Sequence, residues 1–168
     1  TTVQGNGSLV ASNSNALGLG SAGVTIAASS TLLLSGNISF DKPITMAAGF
    51  TGTVGSLSGD NTLTRTLTHA SGSTTFASGT GSLTLAPTSG NAFDGGTSTL
   101  TQTGTGTLTI LGNSVYSASN TGTTISAGTM VIGGSSTLNS GAYAGTISIA
   151  TGSVFQYSSS AAQTLSGV

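Results

Sequence analysis

The sequence has no cysteine, no tryptophan and no glutamate, and its 168 positions hold two prolines, one histidine and five charged residues. Without cysteine, neither a disulfide framework nor a thiolate metal site can form. Lys42 and Arg65 are the only side-chain cations, too few to neutralise the phosphates of a nucleic acid. Charged residues make up 3% of the chain, against about 25% in an ordinary soluble domain. Leu, Ala, Glu, Lys and Arg do not dominate, which argues against a long helical protein. The longest apolar block, near Leu32-Leu33-Leu34, falls far short of the roughly 20 residues that a membrane-spanning helix needs. Aromatics at 5% are too sparse for the girdles of a membrane β-barrel, and the apolar runs are shorter than its strands of about 9–11 residues. The chain opens Thr1-Thr2-Val3-Gln4 with neither Met nor a basic start, so the expectation is a mature or excised segment rather than one carrying a signal peptide.

What is present is small and hydroxylated: 31 Thr, 29 Ser and 27 Gly fill just over half of the chain. Such a composition also describes flexible linkers. Disorder, however, goes with low hydrophobicity and high net charge, whereas here the net charge is −1 and mean hydropathy is +0.30. The apolar residues also fall into short alternating runs, among them Val24-Thr25-Ile26, Leu83-Thr84-Leu85, Leu108-Thr109-Ile110, Met130-Val131-Ile132 and Ile147-Ser148-Ile149. Period-two alternation with β-branched residues, punctuated by Gly and Asn, is the signature of strands. No stretch shows helical spacing. The expectation is one ordered, all-β domain.

A long internal repeat is visible. Thr1-Thr2-Val3 matches Thr123-Thr124-Ile125, Leu17 falls opposite Leu138, and Val24-Thr25-Ile26-Ala27 falls opposite Ile147-Ser148-Ile149-Ala150, an offset of about 121 to 123 residues. One single-segment solenoid over 1–168 is expected, with a first unit over 1–122 and the start of a second copy at 123–168. Fixed-period similarity marks stacked architectures. The near-absence of charge fits them too, because like charges stacked one strand spacing apart, about 4.8 Å, repel. Stacked Ser, Thr and Asn can instead hydrogen-bond in ladders, and Gly supplies positive-φ corners. At about 20 residues per turn, the chain would make roughly seven to nine turns and about 40 Å of rod. The inward positions, and so the expected core, are Val24, Ile26, Leu32, Leu34, Leu83, Leu85, Leu108, Ile110, Ile125, Met130, Ile132, Ile147 and Ile149.

Three blocks carry a family resemblance: Gly104–Ile110, Gly112–Ala118 and Thr123–Met130. Together they resemble the autotransporter-associated β-strand repeat of bacterial type V secreted passengers. In that family Gly-x-Gly-Thr-Leu-x-Leu is followed by Gly-x-Asn-x-Tyr-x-Gly and then by Thr-Thr-Ile-x-x-Gly-Thr-Leu. The chain departs from it in the Asn113-Ser114 order, in Ala118 for Gly and in Met130 for Leu. Asn15-Ala16-Leu17-Gly18 and Ser58–Leu63 are similar to flanking parts of such passengers. The resemblance implies a right-handed parallel β-helix, secreted or held at the cell surface, in which the repeat is a stalk without enzymatic activity.

Candidate chemistry is thin. His69 with Asp60 or Asp94 and one of many serines could be imagined as a hydrolase triad, but no Gly-x-Ser-x-Gly elbow is present. His69 follows the alternating Leu63–Thr68 run and is expected at an exposed turn. A glycosidase would pair two of Asp41, Asp60 and Asp94 within about 10 Å. Phe93-Asp94-Gly95-Gly96 is the nearest approach to a calcium-binding coil motif, lacks its order, and reads as a turn, as does Asp41-Lys42-Pro43. The most regular feature is a threonine array: Thr99, Thr101, Thr103, Thr105, Thr107 and Thr109, echoed by Thr62, Thr64, Thr66 and Thr68. Two-residue spacing puts such an array on one face of a strand, where it could meet ice or simply suit exposed strand positions. Phe50, Phe76, Phe93, Tyr116, Tyr143, Phe155 and Tyr157 could line a binding strip or pack within the coil.

Neither end of the sequence carries a polar cap, so continuation by further repeats or by copies of itself, as a filament, is expected. The sequence therefore reads as an extracellular structural β-solenoid, with no cofactor, no metal, no nucleic-acid partner and no membrane insertion. Its expected partners are neighbouring repeats or copies, and host or environmental surfaces to which it could act as an adhesin. An ice-binding solenoid and a polysaccharide-acting β-helix enzyme are the alternatives.

Overall fold

The computed structural model describes residues 1–69, 71–95, 97–115 and 122–167, and in it the chain winds as a parallel β-solenoid of about seven turns. The first turn holds β1 (Thr2–Val3) and β2 (Ser8–Ala11); the second holds β3 (Val24–Ile26), β4 (Thr31–Ser35) and β5 (Ser39–Phe40). The third has β6 (Ile44–Met46) and β7 (Thr53–Leu63), and the fourth β8 (Leu67–His69) and β9 (Ser71–Leu85). The fifth comprises β10 (Phe93–Asp94), β11 (Thr97–Thr103) and β12 (Thr107–Ile110), and the sixth β13 (Ser114–Val115), β14 (Gly122–Ile125) and β15 (Thr129–Ile132). A 3-10 turn at Asn139–Gly141 leads into β16 (Ala142–Tyr143), β17 (Thr146–Ile149) and β18 (Val154–Tyr157), and β19 (Thr164–Leu165) pairs back onto β16.

Every ladder is parallel, and each strand stacks on its counterpart one turn away. One face is the six-stranded order β1-β3-β6-β8-β10-β13; the other strands of the first six turns, with β17 and β18, share an eleven-stranded sheet. In the smaller sheet Thr2, Thr25, Thr45, Thr68 and Asp94 lie in one column, at steps of 23, 20, 23 and 26 residues. A turn is thus slightly longer than the 20 residues expected from sequence.

The larger sheet bends once per turn, and glycine makes the bend possible. Gly59 and Gly81 are paired, at φ +76° and +131°. A Cβ on Gly81 would sit 2.4 Å from the Gly59 carbonyl oxygen, one on Gly106 2.1 Å from that of Gly81, and one on Gly128 2.3 Å from that of Gly106. Four successive corners are therefore backbone stacked on backbone, with no room for a side chain.

Alternation sorts the strand residues into inward apolar and outward hydroxyl columns. Phe40, Leu63, Leu85, Ile110, Ile132 and Tyr157 form one inward ladder across six turns, fully buried except at Tyr157. Leu32, Val54, Phe76, Gln102 and Ile125 form a second. Burying each aliphatic side chain stabilises by roughly 1.5–3 kcal/mol, and the repeated ladder supplies the sum that one large core supplies elsewhere. Eleven of the thirteen expected core residues are buried. Ile147 is only partly buried and Ile149 is 50% exposed, because β17 has a partner on one side alone and no described turn stacks over it.

The ladders run unbroken through the boundary between the two sequence copies: β14 pairs with β11 before it and with β17 after it. The matched segments occupy different faces of the coil. Thr2-Val3 and Val24–Ile26 lie in the six-stranded sheet, whereas Thr123–Ile125 and Ile147–Ile149 lie in the eleven-stranded one.

Candidate functional site

The threonine array does not lie on one flat strand. Thr99, Thr101 and Thr103 are on β11, Thr107 and Thr109 are on β12, and Thr105 is exposed at the glycine corner between them, donating to the Gly79 carbonyl at 3.5 Å. What the structure adds is stacking across turns. Thr101 belongs to a column of seven hydroxyl residues: Ser8, Thr31, Thr53, Thr75, Thr101, Thr124 and Ser148. Thr107 stacks between Ser82 and Thr129, and Thr109 between Thr84 and Val131. Thr99 donates to Ser73 Oγ at 2.6 Å. Of the second array, Thr62 is on β7 and Thr68 on β8, while Thr64 and Thr66 lie at the corner between them. Two adjacent hydroxyl columns thus make a grid with spacings of about 4.8 Å along the rod and about 6.6 Å along the strand.

Three of the five charged residues gather at another corner, after β5 and β7. Arg65 Nε donates to Asp41 Oδ1 at 2.5 Å and its Nη2 to Oδ2 at 3.2 Å, while Thr64 Oγ1 donates to the same carboxylate at 2.9 Å. These hydrogen bonds, Arg65's first, hold the Asp41 carboxyl below its ordinary range, and Asp41 in turn raises Arg65. Next to this pair Lys42 is buried, with Nζ donating to the Gly20 carbonyl one turn away. A cavity of about 290 Å³, lined by Ser21, Pro43, Arg65, Thr66 and Ser89, opens beside it. Since Arg65 commits its Nε and Nη2 donors to Asp41, the corner is first of all a cross-turn clamp. Nothing in the sequence marked Lys42 as buried.

His69 is not at an exposed turn, contrary to the expectation from sequence. It is the last residue of β8 and only 1% exposed. Leu67 and His69 share the inward face and Thr68 faces out, so the alternation that makes β8 a strand carries the imidazole inside. Its Nδ1 lies 2.8 Å from Thr74 Oγ1, and its ring meets Phe50 edge-on at 5.6 Å between centroids, with Phe93 at 6.3 Å. Burial pushes the imidazole below its ordinary pKa, and a backbone hydrogen bond with Ser71 acts in the opposite direction.

The carboxylates are on the other side of the wall. Asp94 stacks on Thr68 and is exposed, so the sheet itself stands between it and His69. Asp60 is also exposed and accepts from Ser82 Oγ at 2.9 Å. The triad imagined from sequence is not assembled, and the three aspartates sit on separate outward elements. Among the described residues no group of three or more His, Asp or Glu is placed to hold a metal ion. Phe50, Phe76, Phe93 and Tyr143 are buried and Phe155 and Tyr157 half-buried, so they pack the coil rather than form a strip; Tyr116 lies outside the described residues.

Sequence reasoning passed over Asn61, which is fully buried. Its Oδ1 accepts from the Ile38 N–H at 2.9 Å, and its Nδ2 donates to Ser56 Oγ at 2.7 Å and to the Ser58 carbonyl at 2.9 Å. The available signal was its place two residues past Gly59, where a bend leaves backbone groups to be satisfied.

The class this geometry defines is the β-solenoid. Comparison with protein families, with curated proteins and with solved structures found no match.

Proposed function

We propose that this chain is a segment of a structural, extracellular β-solenoid rod, a stalk of the autotransporter passenger kind. The observation that carries the proposal is the unbroken stacking itself. Inward apolar ladders and outward hydroxyl columns continue through six or seven turns, while Arg65 and Asp41 are committed to a cross-turn clamp, Lys42 to the Gly20 carbonyl and Asp60 to Ser82. The resembling blocks make sense in this setting. Gly104 and Gly106 turn the corner before β12, and the Thr-Thr-Ile of the third block lies on β14, so the motif encodes one bend and its flanking strands. Supporting a non-enzymatic role is the wall between His69 and the carboxylates. The partner in this reading is more of the same coil, a neighbouring repeat or a second copy, and any adhesive contact would be made by the outward hydroxyl columns. Small-angle scattering with limited proteolysis is the test. A rod predicts an elongated particle resistant to cleavage throughout β4–β15; a compact particle cleaved within that span would overturn it.

A second reading, ice binding, is favoured by one observation: the outward pairs Ser82/Thr84 and Thr107/Thr109 stack in register on consecutive turns, followed by Thr129. Thermal hysteresis decides it. Activity lost in Thr84→Lys and Thr109→Lys would support an ice-binding face, and its absence from the wild type would eliminate one.

A further inference from the structure

The chain contains one histidine, and the fold places it in the middle of the rod. His69 lies on the fourth of about seven turns, in the inward column Val3, Ile26, Met46, His69. The next position in that column is Gly95, where a Cβ would meet the Phe93 ring at 2.5 Å, so the glycine lets Phe93 tilt over the imidazole. Among the described residues, the groups around the ring are Met46 of β6, Phe50, the Ser71 backbone and Thr74 of β9, and Phe93 of β10, and none of these is ionisable.

Among the described residues, the charged groups of the neighbouring elements all face elsewhere. Asp94 of β10 is on the outer surface over Thr68, Asp60 of β7 is exposed beside Ser82, Asp41 and Arg65 are clamped together at the corner, and Lys42 is bonded to Gly20. The terminal amine of Thr1 donates to the Gly23 carbonyl on the first turn. No carboxylate is therefore positioned to compensate an imidazolium in this column.

We propose that His69 is an acid-sensitive joint, whose protonation weakens the packing of β6, β8 and β10 and lets the rod open at its centre while the turns on either side persist. The physical basis is that a charge placed among two phenyl rings, a thioether and a threonine hydroxyl loses its hydration, and the intact turn offers it no opposite charge in exchange. Opening the turn restores water to it. The sign follows. Above about pH 6.5 the imidazole is neutral in both open and closed states and has no effect. As pH falls below that value the open state takes up the proton first, so stability declines until the folded pKa is passed.

The test uses the whole chain. NMR titration of the His69 ring is combined with amide hydrogen exchange at pH 7.5 and pH 5.0, corrected for intrinsic rates, on the wild type and on His69→Gln. The expected result is a ring pKa below about 6.5 and a loss of protection at 44–46, 67–69 and 93–94 of about tenfold for each unit of depression. Protection at 31–34 and 129–132 should change much less, and the pH dependence should vanish in His69→Gln. An ordinary ring pKa, equal loss of protection along the whole rod, or an undiminished pH effect in His69→Gln would overturn the proposal. If His69→Gln does not fold, the wild-type titration and the location of its exchange decide the matter by themselves.

Discussion

Gly81 lies directly over Gly59, so close that a Cβ on Gly81 would be 2.4 Å from the Gly59 carbonyl oxygen. That contact shows how the coil turns. At this corner two backbones touch, and the corners at Gly106 and Gly128 are made by the same means. Gly81→Ala introduces both a clash and a side chain at φ +131°. The expected outcome is a loss of at least about 1–3 kcal/mol, read as a lowered urea midpoint with an unchanged slope. Gly5, also at positive φ but with nothing within 4 Å of a Cβ, should lose much less on the same change.

The inward ladder through Leu85 predicts a second outcome. Leu85 is fully buried between Leu63 on one turn and Ile110 on the next. Leu85→Ala should cost about 2–5 kcal/mol in equilibrium unfolding. Ile149→Ala, at a position expected to be inward from sequence but half exposed, should cost well under half of that.

Asn61 allows packing to be separated from hydrogen bonding. The next two residues in its column are Leu83 and Leu108, so leucine suits the column by shape. It would nevertheless leave the buried Ile38 N–H and Ser56 hydroxyl without their Asn61 partner. Asn61→Leu should therefore destabilise by about 1–3 kcal/mol despite its greater hydrophobicity. A neutral or stabilising result would mean that shape outweighs polar satisfaction at this bend.

The Arg65–Asp41 clamp should contribute little, since both side chains are about half exposed and water screens them. Arg65→Met is expected to leave the thermal midpoint nearly unchanged, and less changed still at high salt. Because the Asp41 carboxyl is held below its ordinary value of 3.8, what the clamp does contribute is present above that pH and is lost as pH falls through the folded value. Comparing wild type with Arg65→Met between pH 5 and pH 2 checks the sign.

The fold was legible in the sequence because its determinants are local and repeated. Leu108-Thr109-Ile110 and Met130-Val131-Ile132 announce an inward-outward alternation, and the stacking of one run on the other follows from their similarity. The threonine array misled for the same reason. Alternation continues from Thr103 to Thr107 in the sequence, but Gly104 at φ +82° and Gly106 against the Gly81 carbonyl bend the chain between them. His69 was misplaced because a polar residue at the end of a strand looks like the start of a turn. The phase set by Leu67 pointed inward, and phase outweighed polarity. Lys42 was illegible, since its burial depends on Gly20 one turn away, at a distance along the chain that no local pattern reveals, and Asn61 had only its place past the Gly59 bend to mark it.

The most direct test of a rod built by stacking is a pair of spin-label distances, for which a chain without native cysteine is well suited. Ser8, Thr75 and Ser148 lie in one outward column, three and then six turns apart. Labels on Ser8→Cys with Thr75→Cys, and on Ser8→Cys with Ser148→Cys, should give backbone separations of about 14 Å and about 29 Å, scaling with the number of turns. Two similar distances, or a second no longer than the first, would mean that the strands are not piled along a single axis.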